Sequence, residues 1–147
     1  MVMKLRPADA TQDGFVVVSF ANQMTVGNPR GDNPTFPTFD WENEVDVVLD
    51  FNDLCAILQV LRGETESIRE GRSIFHKYNE CCQKIQMRHL IDPVCGYSFD
   101  VLETSANGSD EKRMHMLLSP AESLGICESI AGSMYLIAFG VPRLSNV

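Results

Sequence analysis

Lys84, Gln86 and Arg88 alternate with Ile85, Met87 and His89 along one stretch of the chain. Arg113 and His115 alternate with Met114 and Met116 along another. Period-two alternation belongs to a strand with one face buried and the other in water. If Ile85, Met87, Met114 and Met116 turn inward, then Lys84, Arg88, Arg113 and His115 gather on the outer face of one sheet. Cations spaced along such a face can hold the phosphates of a nucleic-acid backbone, and an aromatic ring among them can stack on a base. Tyr78 is the aromatic candidate, although its place in the alternation does not fix its face. The plain alternative is a solvated sheet face whose charges keep it soluble and discourage edge pairing.

Other residue sets offer chemistry on paper, and each has a plainer explanation. Residues 32–53 hold seven acids (Asp32, Asp40, Glu42, Glu44, Asp46, Asp50 and Asp53) and no base. The sharp reading is a mimic of phosphate charge that competes for a basic surface. The plain one is a solvated strand and loop. His76, Cys81, Cys82 and His89 could suggest a metal, but no Cys-x-x-Cys pair accompanies them. Adjacent cysteines on a strand also point to opposite faces, so no metal site is expected. Arg30-Gly31-Asp32 and Asn107-Gly108-Ser109 spell an adhesion tripeptide and a glycosylation sequon, and both are better explained as turns. No nucleophile–base context, Walker loop or dinucleotide fingerprint is present, so neither catalytic residues nor a cofactor is expected.

Composition narrows the classes. A chain of 147 residues is one domain's worth and can bury a real core. No apolar run approaches the ~18 residues of a membrane span, and residues 1–7 have no apolar signal core. The five cysteines are odd in number, and free thiols in a reducing compartment follow, which points to the cytoplasm. The net charge of −8 argues against tight non-specific binding to nucleic acid. It leaves room for a local basic face, because residues 62–91 carry six bases against four acids.

The elements that must position these residues are written twice, 69 positions apart. Val45, Val47 and Leu49 alternate, then Leu54, Ile57, Leu58 and Leu61 fall at helical spacing. Met114, Met116 and Leu118 alternate, then Ile126, Cys127, Ile130, Met134 and Ile137 do the same. The period changes at a capping signal both times: Asp50-Phe51-Asn52-Asp53, and Ser119-Pro120-Ala121-Glu122 with proline at the first helical position. Leu49/Leu118, Ile57/Ile126 and Gly63/Gly132 are identical between the copies. Upstream of the second copy, strands are expected over residues 72–78, 82–91 and 97–104. Turns are expected at Asp92-Pro93-Val94-Cys95-Gly96 and at Asn107-Gly108, and the second helix should end near Gly140-Val141-Pro142. In the first half, strands are expected over 1–6, 14–23 and 38–42 besides the one that opens the repeat. A linker over 62–71 joins the halves.

The expected fold is therefore α+β: two pseudo-symmetric β-β-β-β-α units, antiparallel sheets packed with two helices. Residues 1–147 form one domain, with halves 1–63 and 72–140. This order, with a strand handing directly to a long helix at Leu49-Asp50-Phe51 and Leu118-Ser119-Pro120, resembles the Whirly and PUR-repeat class of single-stranded nucleic-acid-binding proteins and the positive-cofactor-four coactivators. The Lys-Gly-Lys-Ala-type run of Whirly proteins and the glycine-centred PUR signature are missing. The resemblance implies a curved antiparallel sheet as contact surface and helices used for packing or dimerisation. The reading that results is non-catalytic binding of a single strand, DNA ahead of RNA, with Lys84, Arg88, Arg113 and His115 on phosphate and Tyr78 stacking. The alternative is an acidic protein-interaction or regulatory module that binds a partner protein.

Overall fold

The computed structural model describes residues 1–30, 32–78, 80–92 and 95–140. Pro93 and Val94 of the expected turn, Val141 and Pro142 beyond the second helix, and Gly31 of the tripeptide lie outside them. The order of elements is β1 (Val2–Arg6), β2 (Phe15–Thr25), β3 (Thr38–Leu49), α1 (Phe51–Leu61), a 3-10 turn (Ile68–Gly71), β4 (Ile74–Tyr78), β5 (Cys81–Leu90), β6 (Gly96–Ser105), β7 (Glu111–Leu118) and α2 (Pro120–Phe139). The strands form two antiparallel sheets, ordered β1-β2-β3 and β4-β5-β6-β7.

The first unit has three strands where four were expected, because segments 38–42 and 45–49 are one continuous strand. The polar run Trp41-Glu42-Asn43-Glu44 interrupts the alternation and suggested a break. No glycine or proline is there to turn the chain, so the strand continues. Register shifts in the β2–β3 pairing, between Phe20 and Asn22 and between Gln23 and Thr25, absorb the irregularity.

Each strand buries its alternate residues. Val16, Val18 and Phe20 face Leu49, Val47 and Val45 across the β2–β3 ladder, and all six are at most 4 % exposed. Ile85, Met87, Phe99, Val101, Met114 and Leu118 form the matching inner face of the second sheet. Leu54, Ile57 and Val60 of α1 and Ile130 and Ile137 of α2 join the same cluster. Each such side chain contributes about 1.5–3 kcal/mol by leaving water. Phe20 stacks on Phe99 at 5.3 Å, which joins the two sheets through their inner faces.

Both helices open on a complete capping box. The Asp50 side chain accepts from the Asp53 amide at 2.9 Å, and the Asp53 side chain accepts from the Asp50 amide at 3.4 Å. The Ser119 hydroxyl accepts from the Glu122 amide at 3.3 Å, and Glu122 Oε2 accepts from the Ser119 amide at 2.8 Å. The Ser119 hydroxyl also donates to Glu122 Oε2 at 2.6 Å, and this bond, then the one from the Ser119 amide, holds the Glu122 carboxyl below its ordinary value. The copies diverge at their ends. Gly63 follows α1 with φ 71°, whereas its counterpart Gly132 lies inside α2, which runs on to Phe139. A glycine ends a helix only where the apolar pattern also ends, and here Met134 and Ile137 carry it forward. Ile126, expected in the core, is half-buried, and its neighbour Cys127 takes the inner position.

Residues 7–14 clasp the end of α2. The Ala8 amide donates to the Leu136 carbonyl at 3.1 Å and the Gly14 amide to the Ile137 carbonyl at 3.2 Å. A Cβ on Gly14 would strike the Ile137 backbone, so this close approach requires glycine.

Two outcomes test the packing. Ile57→Ala should lower stability by roughly 2–5 kcal/mol, and Ile126→Ala should cost clearly less, because only the first is fully buried. Equal urea midpoints for the two variants would contradict this placement. Ser119→Ala should cost about 1 kcal/mol through loss of its cap, read from the same denaturation curves.

Candidate functional site

Alternation and register together build the outer face of the second sheet. Directly opposed residues of antiparallel strands share a face. Phe75, Lys84, Leu102 and Arg113 therefore form one row across β4, β5, β6 and β7. Gln86, Asp100 and His115 form the next, and Arg88, Ser98 and Leu117 the one after. The face carries a groove of about 210 Å³ lined by Lys84, Gln86, Arg88, Asp100, Val101, Leu102 and Arg113.

β4 pairs only with Cys81–Ile85, so the second half of β5 has no strand beyond it. The turn region covers that edge instead. The His89 amide donates to the Glu66 carbonyl at 2.8 Å, and Ser67 bridges to Arg88. Arg69 and Glu70 there adopt φ 47° and 58°, and Gly71 φ 90°, which starts β4 at Ile74 rather than at Arg72. A second depression of about 220 Å³ lies along this border, lined by Ser67, Ile68, Gly71, Arg72, Gln86, Met87 and Arg88. The two depressions share Gln86 and Arg88. Arg113, Lys84 and Arg88 border the first, and Arg88 and Arg72 the second, so the cations follow one another along this side of the sheet.

Two acids temper this face. Glu111 Oε1 lies 3.9 Å from Arg113 Nη2, an exposed pair of little energetic weight. Asp100 Oδ1 accepts from His115 Nδ1 at 2.6 Å, and the Asp100 side chain is 32 % exposed.

Of the five residues singled out from sequence, Lys84, Arg88, Arg113 and His115 share this face. Tyr78 does not. It has the parity of Ile74 and His76, on the opposite side of β4. Its hydroxyl lies 3.2 Å from His76 Nδ1 and 3.4 Å from the Val48 carbonyl oxygen. His76 Nε2 in turn donates to Asp53 at 2.8 Å, where Arg69 also reaches at 3.4 Å. Burial, and then the nearby Asp53 and Asp50 carboxylates, push the Tyr78 phenol above its ordinary value.

The aromatic ring on the outer face is Phe75, 68 % exposed and directly opposite Lys84. Its signal was present in the sequence: Ile74 is the apolar anchor of the short β4, and its neighbour must face the other way. Phe39 and Trp41 form a second exposed aromatic pair, on β3, with centroids 6.2 Å apart. Among the other residues weighed, His76 is taken up by Asp53 and His89 lies against Tyr97 at 4.9 Å. Among the described residues, no helix is long and apolar enough to cross a membrane.

This arrangement of two antiparallel sheets and two helices is a Whirly-like fold. The crystal structure of WHY1 from Arabidopsis thaliana superimposes on 92 % of this chain and 79 % of its own, with a TM-score of 0.68 and 15 % sequence identity. WHY3 from the same plant gives a TM-score of 0.69 at 14 % identity, over 93 % of this chain and 78 % of its own. A guideRNA-binding protein complex bound to a gRNA is also similar, with a TM-score of 0.51 and 13 % identity over 95 % of this chain and 93 % of that one. No protein-family model matches the sequence, and no curated protein does.

The Tyr78 environment makes a pH prediction. A phenol raised in the folded state gives stability that is fully present below the ordinary tyrosine value of about 10 and is lost as pH rises through the folded value. The urea midpoint of the wild type should therefore fall at alkaline pH more steeply than that of Tyr78→Phe. Parallel profiles would contradict this upward shift.

Proposed function

We propose that this chain binds single-stranded nucleic acid, without catalysis, along the track on the outer face of its second sheet. The observation that carries the reading is the cross-strand register. It sets the Phe75 ring opposite Lys84, brings Arg113 into the same row, and continues through Arg88 to Arg72. Cations at intervals along a groove follow a backbone whatever its sequence, and an exposed ring beside them offers a stacking platform. Lys84, Arg88 and Arg113 hold phosphate on this reading, Phe75 stacks, and His115 acts mainly through Asp100.

The structural neighbours support the same class. One is a complex bound to a gRNA, and another, with a TM-score of 0.63, is the plant transcriptional regulator PBF-2. DNA comes ahead of RNA because the regulator is the more similar of these two. The halves 1–63 and 72–140 work as one domain, the first bracing the sheet that the second presents. Leu124, Tyr135 and Phe139 leave an apolar stretch of α2 in water, which supports self-association through that helix.

A second reading, an acidic module that binds a partner protein, draws on the exposed Phe39 and Trp41 rings set among Asp40, Glu42 and Glu44. The two readings separate by salt. Anisotropy with labelled single strands should show affinity that falls steeply as salt rises. The double change Lys84→Ala and Arg88→Ala should weaken binding to all sequences alike. It should also flatten the log–log salt slope by roughly 0.7 for each phosphate no longer neutralised. Its urea midpoint should stay close to that of the wild type, because exposed charges contribute little to folding. Absence of binding at low salt would overturn the nucleic-acid reading in favour of the acidic module. Unchanged binding by the double variant would move the site to another face.

A further inference from the structure

A phosphate track accounts for Lys84, Arg88 and Arg113 on the outer face but not for the carboxylate among them. Asp100 stands between the Lys84–Arg113 row and the Arg88 row. There it repels any phosphate that the neighbouring cations attract. A carboxylate costs such a surface affinity unless it accepts hydrogen bonds from the ligand. The site also holds this group in place rather than leaving it to swing away. His115, its direct cross-strand partner, donates to Oδ1 at 2.6 Å. Among the described residues, Asp100 Oδ2 has no hydrogen-bond partner. Gln86 is the partner of Asp100 on the other side, and its side-chain amide is likewise unpaired among those residues. Both line the groove.

We propose that the Gln86–Asp100–His115 row reads the Watson–Crick edge of guanine within a bound single strand, an inference that rests on the nucleic-acid reading above. The donor and acceptor pattern decides which base. A carboxylate only accepts, through two oxygens, whereas an amide supplies two N–H donors. Guanine alone among the common bases presents two adjacent donors on that edge, N1–H and the N2 amine, followed by the O6 acceptor. Asp100 takes the two donors and the Gln86 amide donates to O6. Cytosine and adenine offer the carboxylate only their single amine, and thymine and uracil only one ring N–H flanked by carbonyl oxygens that Asp100 repels. Leu102, two residues from Asp100 on the same face, gives the base an apolar bed. His115 is a positioning residue here: it fixes the carboxylate through Nδ1.

The test uses the full chain and three labelled oligonucleotides of equal length. One is all thymidine, one carries guanine at every third position, and one carries inosine, which lacks the N2 amine, at those same positions. Sparse guanines keep the strands from associating with themselves. The wild type should bind the guanine strand about tenfold more tightly than the thymidine strand, the size of one bidentate base contact. The inosine strand should fall between them. Asp100→Asn removes one acceptor and one negative charge. It should bind the thymidine strand several-fold more tightly and bring the guanine-to-thymidine ratio close to one. Equal binding of all three strands by the wild type overturns this inference alone. So does an Asp100→Asn variant that keeps the guanine preference. Failure of every strand to bind at low salt overturns the nucleic-acid reading itself.

Discussion

Asp53 is the group from which the geometry of the site follows. Its carboxylate is only 3 % exposed, and a buried charge must be met by partners or it unfolds its surroundings. One partner is local, the Asp50 amide at the start of α1. The others are Arg69 of the linker and His76 of the second half. For His76 to reach Asp53 it must point inward from β4. Strand geometry then leaves no choice: Phe75 and Lys77 point outward, and Tyr78 points inward beside His76. Register carries the decision on to Lys84 opposite Phe75, and from there across the sheet. A buried carboxylate on a helix cap and the apolar parity of Ile85 and Met87 thus agree on which side chains meet the solvent two strands away.

This chain of dependence explains what could be read from the sequence. The strands with strong apolar alternation were legible, as were both helix starts, because capping boxes and period changes are local signals. The outward parity of Lys84, Arg88, Arg113 and His115 followed from Ile85, Met87 and Met114, which are unambiguous core residues. Tyr78 was not legible, because β4 is short and its inward residues Ile74, His76 and Tyr78 grow steadily more polar. Ile74 marks the inner face of β4, and the partnership of His76 with Asp53, remote in sequence, carries that face on toward Tyr78. The same limit hid the continuity of β3, where bulges against β2 accommodate a polar run. Asp100 gave no sign either. Its importance lies in standing among cations that belong to two other strands.

The excess of acid in this protein and the cationic track on its second sheet are compatible for a spatial reason. The acidic residues of segment 32–53 lie largely on β3 and at the start of α1, in the other sheet and its adjoining helix. Salt shortens the reach of exposed charges to about 8 Å at physiological strength, so the field of β3 weakens with distance from that strand. A net charge of −8 therefore describes the molecule at a distance, whereas a strand lying in the groove meets Arg72, Arg88, Lys84 and Arg113. At low salt the two descriptions merge, and the acidic sheet opposes the approach of any polyanion.

The clasp between residues 7–14 and the end of α2 bears on how the chain reaches this structure. Ala8 and Leu136 have six of the seven strands and α1 between them in sequence, as do Gly14 and Ile137. Contacts of such separation are the slowest to form, since the entropy of closing the intervening loop comes before any reward from the contact. During synthesis β1 and β2 emerge long before α2 exists to receive residues 7–14. The inner face of the first sheet can meet α1 early, but the clasp itself closes only when α2 arrives.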